Sequence, residues 1–299
     1  MNNFLVSNVD DDTEIRLDHY LSDKKNMTRS SVQSIIKSGL VLVNEKKIIK
    51  PSFSIKNGNT IKIINSVKSE SKFSKLNIIY EDDFIFILEK PAGLIVHHGI
   101  KNQGGTLSDY IKILFPEIIN VGDAGRNGIV HRLDKDTSGL IVVAKKNSSY
   151  IKMIELFKKR KVEKNYLALI HGHLNKKTGT IIAPIGRNPK NRTKQTLISS
   201  GKQSITSYKL IKEYEKETLV LVSLKTGRMH QIRVHFSSIG HPIVGDKKYG
   251  KKNMENNLLK RHFLHANRLK FKHPIEEKIL SFSSHLPNDL SRYLENLNA

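Results

Sequence analysis

Cysteine is absent from this 299-residue chain, and so is tryptophan. Without cysteine there is neither a disulfide framework nor a thiolate zinc site, and the composition is compatible with a reducing cytoplasm. Acidic residues are scarce: 28 stand against 51 lysines and arginines, a formal net charge of +23. No apolar run approaches the roughly 18 residues that a membrane helix needs, so no membrane partner is expected. Asp10, Asp11, Asp12 and Glu14 stand near the N-terminus in place of a basic region and an apolar core. No secretory signal is therefore expected, and the location read from the sequence is cytoplasmic. Gly122, Gly125 and Gly128 have neither dinucleotide-binding nor phosphate-loop spacing.

The basic excess is the first positive signal. It suits a polyanion, because neutralising phosphates and releasing their counterions dominates nucleic-acid affinity. Drift toward a lysine-covered surface, in a chain rich in Lys, Asn and Ile, is the plainer alternative. The length allows one large domain or two smaller ones with a real core.

Residues 1–13 read as a polar, frayed start. A short helix is expected from Ile15, with Leu17, Tyr20 and Leu21 on its apolar face. Thr28 is placed to cap a second helix with Val32, Ile35 and Ile36 as its stripe and Gly39 as its stop. Short strands follow at Leu40–Val43, near Ile48 and near Thr60–Ile64. Residues 28–75 hold ten Lys/Arg and two Glu. The polar Ser/Lys stretch 66–75 reads as a linker, placed at 71–75 between a module at 14–70 and a larger domain at 76–299. In the larger domain, short apolar runs recur at Ile78–Tyr80, Phe84–Leu88, Leu140–Ala144, Tyr166–Ile170, Leu219–Leu224 and Ile232–Phe236. Helices are expected only at Leu107–Leu114 and Tyr150–Lys159. Many strands and few helices predict an α+β fold with a mostly antiparallel sheet.

Four segments combine polar residues with backbone-shaping Gly or Pro. They are Glu89-Lys-Pro-Ala-Gly-Leu-Ile-Val-His97, Gly128-Ile-Val-His-Arg-Leu-Asp-Lys-Asp-Thr-Ser-Gly-Leu140, Glu163-Lys-Asn-Tyr-Leu-Ala-Leu-Ile-His-Gly172 and Thr226-Gly-Arg-Met-His-Gln-Ile-Arg-Val-His235, the last continuing to Gly250. In the second, Ile129-Val130 and Leu140–Ala144 are expected to be strands joined by a loop that presents Asp134 between Arg132 and Lys135. Cations beside a carboxylate favour its ionised form, as a nucleophile requires. Taken alone, the same stretch is also an ordinary charged turn. Asp134 and Asp136 have the look of paired carboxylates, but no aromatic groove for a sugar lies nearby. His230 and His235 are expected on opposite faces of a strand, and His171 with His173 lack a third ligand, so no metal site is expected.

In this order, the four segments resemble the RluA/RluD family of RNA pseudouridine synthases. His131-Arg-Leu-Asp-Lys-Asp-Thr-Ser-Gly139 matches the family signature nearly letter for letter. The Lys-Pro-Ala-Gly turn, the Tyr-Leu-Ala-Leu strand, the Gly-Arg-X-His-Gln-Ile-Arg-Val-His segment and Arg261–Pro274 match in turn. Phe263 stands where relatives often have a smaller residue. Gly186-Arg-Asn-Pro189, Lys202 and Thr206-Ser-Tyr208 resemble the RluD branch. Arg16-Leu-Asp18, Thr28-Arg-Ser30, Ile36-Lys-Ser-Gly39 and Val41-Leu-Val-Asn44 resemble an S4 domain.

That resemblance implies an S4-like RNA-binding domain followed by a pseudouridine synthase domain with a central active-site cleft. It implies isomerisation of specific uridines in large-subunit (23S) ribosomal RNA. It implies Asp134 as the nucleophile, Arg233 paired with it through a forked contact, and Tyr166 against the uracil face. Arg132 is expected to fill the space left by an extruded base, and His131, Arg29, Lys37 and Lys90 are further candidate RNA contacts. His131 also reads as a structural hydrogen-bond group, and Lys90 as part of the cleft floor. Isomerisation needs no redox change or group donor, so no cofactor is expected. A monomer without an obligatory protein partner is expected. The same reaction on another rRNA site or on tRNA stays open, as does a non-catalytic ribosome-assembly factor.

Overall fold

The computed structural model describes residues 4–6, 14–25, 29–37, 39–63, 76–98, 105–250 and 259–298. The chain divides into two compact units, Met1–Ser74 and Lys75–Ala299. Thr28 and the 71–75 linker lie outside the described residues.

The first unit is built from β1 (Phe4–Val6), β2 (Ile15–Arg16), α1 (Leu17–Lys25), α2 (Arg29–Lys37), β3 (Val41–Val43), β4 (Lys46–Ile48), β5 (Ser54–Ile55) and β6 (Ile61–Ile63). Its sheet has the antiparallel order β1-β6-β3-β4, beside a β2-β5 pair. The segment expected to be a frayed start therefore contributes an edge strand. The helix expected from Ile15 begins two residues later, after Ile15 and Arg16 pair with Ile55 and Ser54. The α2 stripe lands as its period demands: Val32 and Ile36 are buried with Leu17, Leu21, Val41 and Ile61. One acid is buried in this basic unit. The Asp18 carboxylate accepts both Arg16 Nε and Nη2 at 3.0 Å and Gln33 Nε2 at 2.8 Å. These bonds, led by Arg16, hold its pKa well below the ordinary 3.8.

The second unit carries β7 (Asn77–Glu81), β8 (Ile85–Lys90), α3 (Leu107–Leu114), β9 (Ser138–Ala144), α4 (Asn147–Lys158), β10 (Glu163–His171), β11 (Thr178–Arg187), β12 (Gln195–Leu197), β13 (Lys202–Glu213), β14 (Glu217–Leu224), α5 (Gln231–Ser238), β15 (Leu264–Lys272), β16 (Ile279–Ser283) and α6 (Asn288–Asn296). Its ten-stranded sheet runs β12-β11-β13-β14-β10-β15-β9-β8-β7, with β16 paired to β15. Every pair is antiparallel except β15 with β9. The fold is α+β with a mixed, mostly antiparallel sheet. All seven residues of β9 are buried, which explains its unbroken apolar run. Thr106 and Asp109 form a capping box that starts α3.

Two strand expectations fail. Only Ile129, bridged to Val143, pairs ahead of the Asp134 loop, so Ile129-Val130 is not a strand. Ile232–Phe236 lies in α5. Its alternation of Ile, Arg, Val, His and Phe mimics a half-buried strand, but Gln231, Arg233 and His235 are buried too. Alternation identifies a strand only when the polar members face solvent.

The parallel junction depends on one glycine. Gly139 has φ +116°, and a Cβ there would collide with the Ala266 carbonyl oxygen of β15. Strain and overpacking each cost about 1–3 kcal/mol. Gly139→Ala is therefore expected to destabilise the second unit by about 3–5 kcal/mol in a urea titration. A midpoint like that of the wild type would show that the β9–β15 contact yields freely.

Candidate active site

Asp134 sits in the loop that enters β9, and that loop is pinned on every side. The Gly93 amide donates to the Lys135 carbonyl at 2.9 Å, and the Thr137 amide to the Asp134 carbonyl at 3.2 Å. Arg261 Nη1 donates to the Asp136 carbonyl at 3.0 Å. Thr137 Oγ1 meets His262 Nε2 at 2.8 Å, and Ser138 Oγ meets His265 Nδ1 at 3.0 Å. A reactive side chain on a loop is thereby held as firmly as one on a strand.

Arg233 projects from α5 onto this loop. Its Nη1 donates to Asp134 Oδ2 at 2.9 Å. The fork expected toward Asp134 is aimed elsewhere: Nε and Nη2 donate to the two oxygens of Asp246, at 2.7 and 2.9 Å. Asp246 also accepts the Lys248 and Tyr249 amides, so its orientation is fixed by its own turn. The Tyr249 ring lies under the guanidinium, 5.1 Å from ring centre to Cζ. The Tyr249 hydroxyl accepts the Gln195 amide at 2.8 Å and meets His230 Nδ1 at 2.7 Å. His230 turns its other ring nitrogen, Nε2, toward Asp134. That nitrogen lies 3.9 Å from Asp134 Oδ2. Sequence reasoning missed Asp246 and Tyr249. The one available signal was an acid between Gly245 and the basic pair Lys247-Lys248.

Burial alone would raise the Asp134 pKa, but the facing His230 and Arg233 reverse this and hold it below the ordinary 3.8. Burial lowers His230 to about 4, so at neutral pH it is uncharged and Arg233 supplies the cation. Tyr166 stands in the middle of β10, and among the described residues no group hydrogen-bonds its hydroxyl. Burial, and secondarily the Asp134 charge, raise its pKa, so it remains a phenol. Asp134, Tyr166 and Arg233 share the wall of an open pocket of about 90 Å³ with apolar Leu133, Met229 and Leu264. Exposed Arg132 stands at the same pocket.

Two candidate RNA contacts are corrected. Lys90 is 1% exposed and its ammonium donates to the carbonyls of Pro91, Leu94 and Lys135, at 2.8, 2.9 and 3.0 Å. All three donors are used within the fold, and burial lowers its pKa to about 7. It braces the Asp134 loop. His131 accepts the Val142 amide on Nε2 at 3.0 Å and stacks on Phe157, which makes its ring structural. In the first unit Arg29 and Lys37 are exposed on α2, with Arg29 Nε 3.4 Å from Asp18.

Burial holds His131 and His262 near pKa 3 and His230 near 4, against 6.5 in an unfolded chain. Below about pH 6.5 the unfolded chain takes up protons that the folded one refuses, so stability falls as pH falls. Asp134 and Asp246, with pKa values below 3.8, lose their contribution only in stronger acid. Thermal melts are expected to show Tm declining steadily from pH 7 to pH 4.5. A constant Tm over that range would contradict neutral burial of these histidines.

A family model described as RNA pseudouridylate synthase matches residues 84–238. An uncharacterized RNA pseudouridine synthase of Aquifex aeolicus is 40% identical over 247 residues, covering 80% of this chain and 78% of its own. Ribosomal large subunit pseudouridine synthase D of Haemophilus influenzae is 36% identical over 300 residues, covering 95% and 91%. The solved structure of Human RNA Pseudouridylate Synthase Domain Containing 1 is 26% identical with a TM-score of 0.59, covering 75% of this chain and 95% of its own. The matched span includes the loop, the strand and the helix that converge on the Asp134 pocket, and with such relatives it shows that the chain belongs to the RNA pseudouridylate synthase family.

Proposed function

We propose that the protein converts specific uridines of large-subunit (23S) ribosomal RNA to pseudouridine, with Asp134 as the nucleophile. The observation that carries this reading is the Asp134–Arg233 contact of 2.9 Å at the wall of an apolar pocket shared with Tyr166. Relatives named ribosomal large subunit pseudouridine synthase D support the choice of RNA.

The reaction breaks the C1′–N1 bond, rotates uracil and joins C5 to C1′. An ionised Asp134 either adds to the sugar at C1′ or assists removal of its 2′ hydrogen while the base turns. Arg233 keeps the carboxylate charged and aimed. Tyr166, held as a phenol, offers its ring to the uracil face and its oxygen as an acceptor beside the proton that leaves C5. Arg132 replaces the stacking lost when the base leaves its helix, a loss of a few kcal/mol. The first unit acts as an S4-like RNA grip through α2, with Arg29 and Lys37 on its exposed face. The protein works as a cytoplasmic monomer. Among the described residues no helix is long and apolar enough to cross a membrane.

Pseudouridine mapping across total RNA from cells with and without the protein tests this reading. One or a few large-subunit sites are expected to vanish. Loss confined to tRNA would move the substrate, and an unchanged map would remove the activity.

A further inference from the structure

A second pocket shares Asp134, His230 and Arg233 with the first, and it is richer in cations. The first offers aliphatic side chains and a tyrosine ring. The second is an open groove of about 420 Å³ with no aliphatic, phenylalanine or tyrosine side chain in its lining. Its cations come from separate stretches of chain: Lys135 from the Asp134 loop, Lys194 from the turn before β12, Lys247 and Lys248 from the loop after α5, and Lys260 and Arg261 from the approach to β15.

Two of these are engaged within the protein. Lys248 Nζ donates to the Thr193 carbonyl at 3.0 Å, and Arg261 forks onto Asp289 at 2.6 and 3.0 Å. Lys135, Lys194, Lys247 and Lys260 form no ion pair with a carboxylate among the described residues. Asp136 also lines the groove, and Asp134 is held by Arg233. Converging cations without internal partners repel one another until an anion enters. Lysines recognise phosphates as point charges and read no base, so the chemistry of this groove suits a phosphate track.

We propose that this groove docks the phosphates of the RNA strand flanking the target uridine, while the base enters the apolar pocket. The proposal rests on the assignment of uridine isomerisation to this site. A ribose joins its base to its phosphates, so a base in one pocket and phosphates in the other place the sugar at their common wall. That wall is formed by Asp134, His230 and Arg233.

The test is the salt dependence of binding to a single-stranded, uridine-containing RNA oligonucleotide by the full chain. Each phosphate contact on a single strand contributes a slope of about 0.7 in log Kd against log salt. The triple variant Lys194→Gln, Lys247→Gln, Lys260→Gln is expected to lower the slope by about 2 and to weaken binding about tenfold at low salt. The control Lys176→Gln, Lys177→Gln removes exposed charge outside the groove and is expected to leave the slope within about 0.3 of the wild type. Thermal melts establish that both variants fold. An unchanged slope in the triple variant, or equal losses in triple variant and control, overturns the groove. Pseudouridine formation by the wild type on total RNA reads the underlying assignment separately. Its absence, with the slope change intact, would remove the isomerase and keep the phosphate track.

Discussion

Asp246→Ala is expected to lower the stability of the second unit by about 3–5 kcal/mol, the usual cost of stranding one partner of a buried ion pair. For a unit of this size that corresponds to a fall in Tm of about 10 °C. Asp246 is fully buried and takes two of the three donors that Arg233 uses. Alanine leaves the guanidinium beside Asp134 alone and frees two turn amides, those of Lys248 and Tyr249. The activity effect has a different origin. The fork fixes the guanidinium plane, and that plane aims Nη1 at Asp134. Misplacement by about 1 Å costs roughly 10²-fold in rate, so kcat is expected to fall by about that factor while KM for RNA holds. Asp246→Asn keeps an oxygen for the turn amides and removes the charge, so it is expected to recover part of the Tm and less of the rate. If Asp246→Ala melted and turned over like the wild type, the fork would position nothing.

How legible this was follows from which residues declare their surroundings. Strands β8, β9, β10 and β14 were readable because each carries an apolar run bounded by polar residues, and α3 because its apolar period sits behind the Thr106 and Asp109 box. The hairpin strands β11 and β13 were not. They alternate threonine, serine, lysine and isoleucine, and several isoleucines, including Ile182 and Ile211, face solvent. Helix α5 was misread because its polar residues are buried, each hydrogen-bonded at a distance no local pattern reveals: Gln231 to Thr206 and Ile205, His235 to Thr206 and Ala183. Asp134 stood out for its neighbours in the chain. Asp246 did not, because its meaning lies in Arg233, thirteen positions earlier, on an element that had to be recognised as a helix first. Lys90 carried two readings from sequence, an RNA contact and part of the cleft floor, and its three carbonyl partners favour the second.

Asp134→Asn is expected to abolish product while leaving the fold intact. The asparagine oxygen can still accept Arg233 Nη1, and Asp246 still neutralises the guanidinium. A buried carboxylate is also removed, along with its desolvation cost, so Tm is expected to stay within a few degrees of the wild type. RNA affinity is expected to persist, because exposed Lys and Arg side chains carry it. An amide cannot attack C1′, and it is a far poorer acceptor for a sugar hydrogen. The rate is therefore expected to fall more than about 10⁴-fold, the scale that follows loss of a nucleophile. Aggregation or lost RNA binding in this variant would make the carboxylate structural.

Joining C5 to C1′ expels the hydrogen from C5, so tritium placed there reports each completed rearrangement. The decisive measurement is single-turnover tritium release from C5-labelled large-subunit RNA, with wild type and Asp134→Asn both saturated by substrate. Full release is expected from the wild type and none from the variant at equal RNA occupancy. Release by the variant at a rate near that of the wild type would contradict Asp134 as the nucleophile.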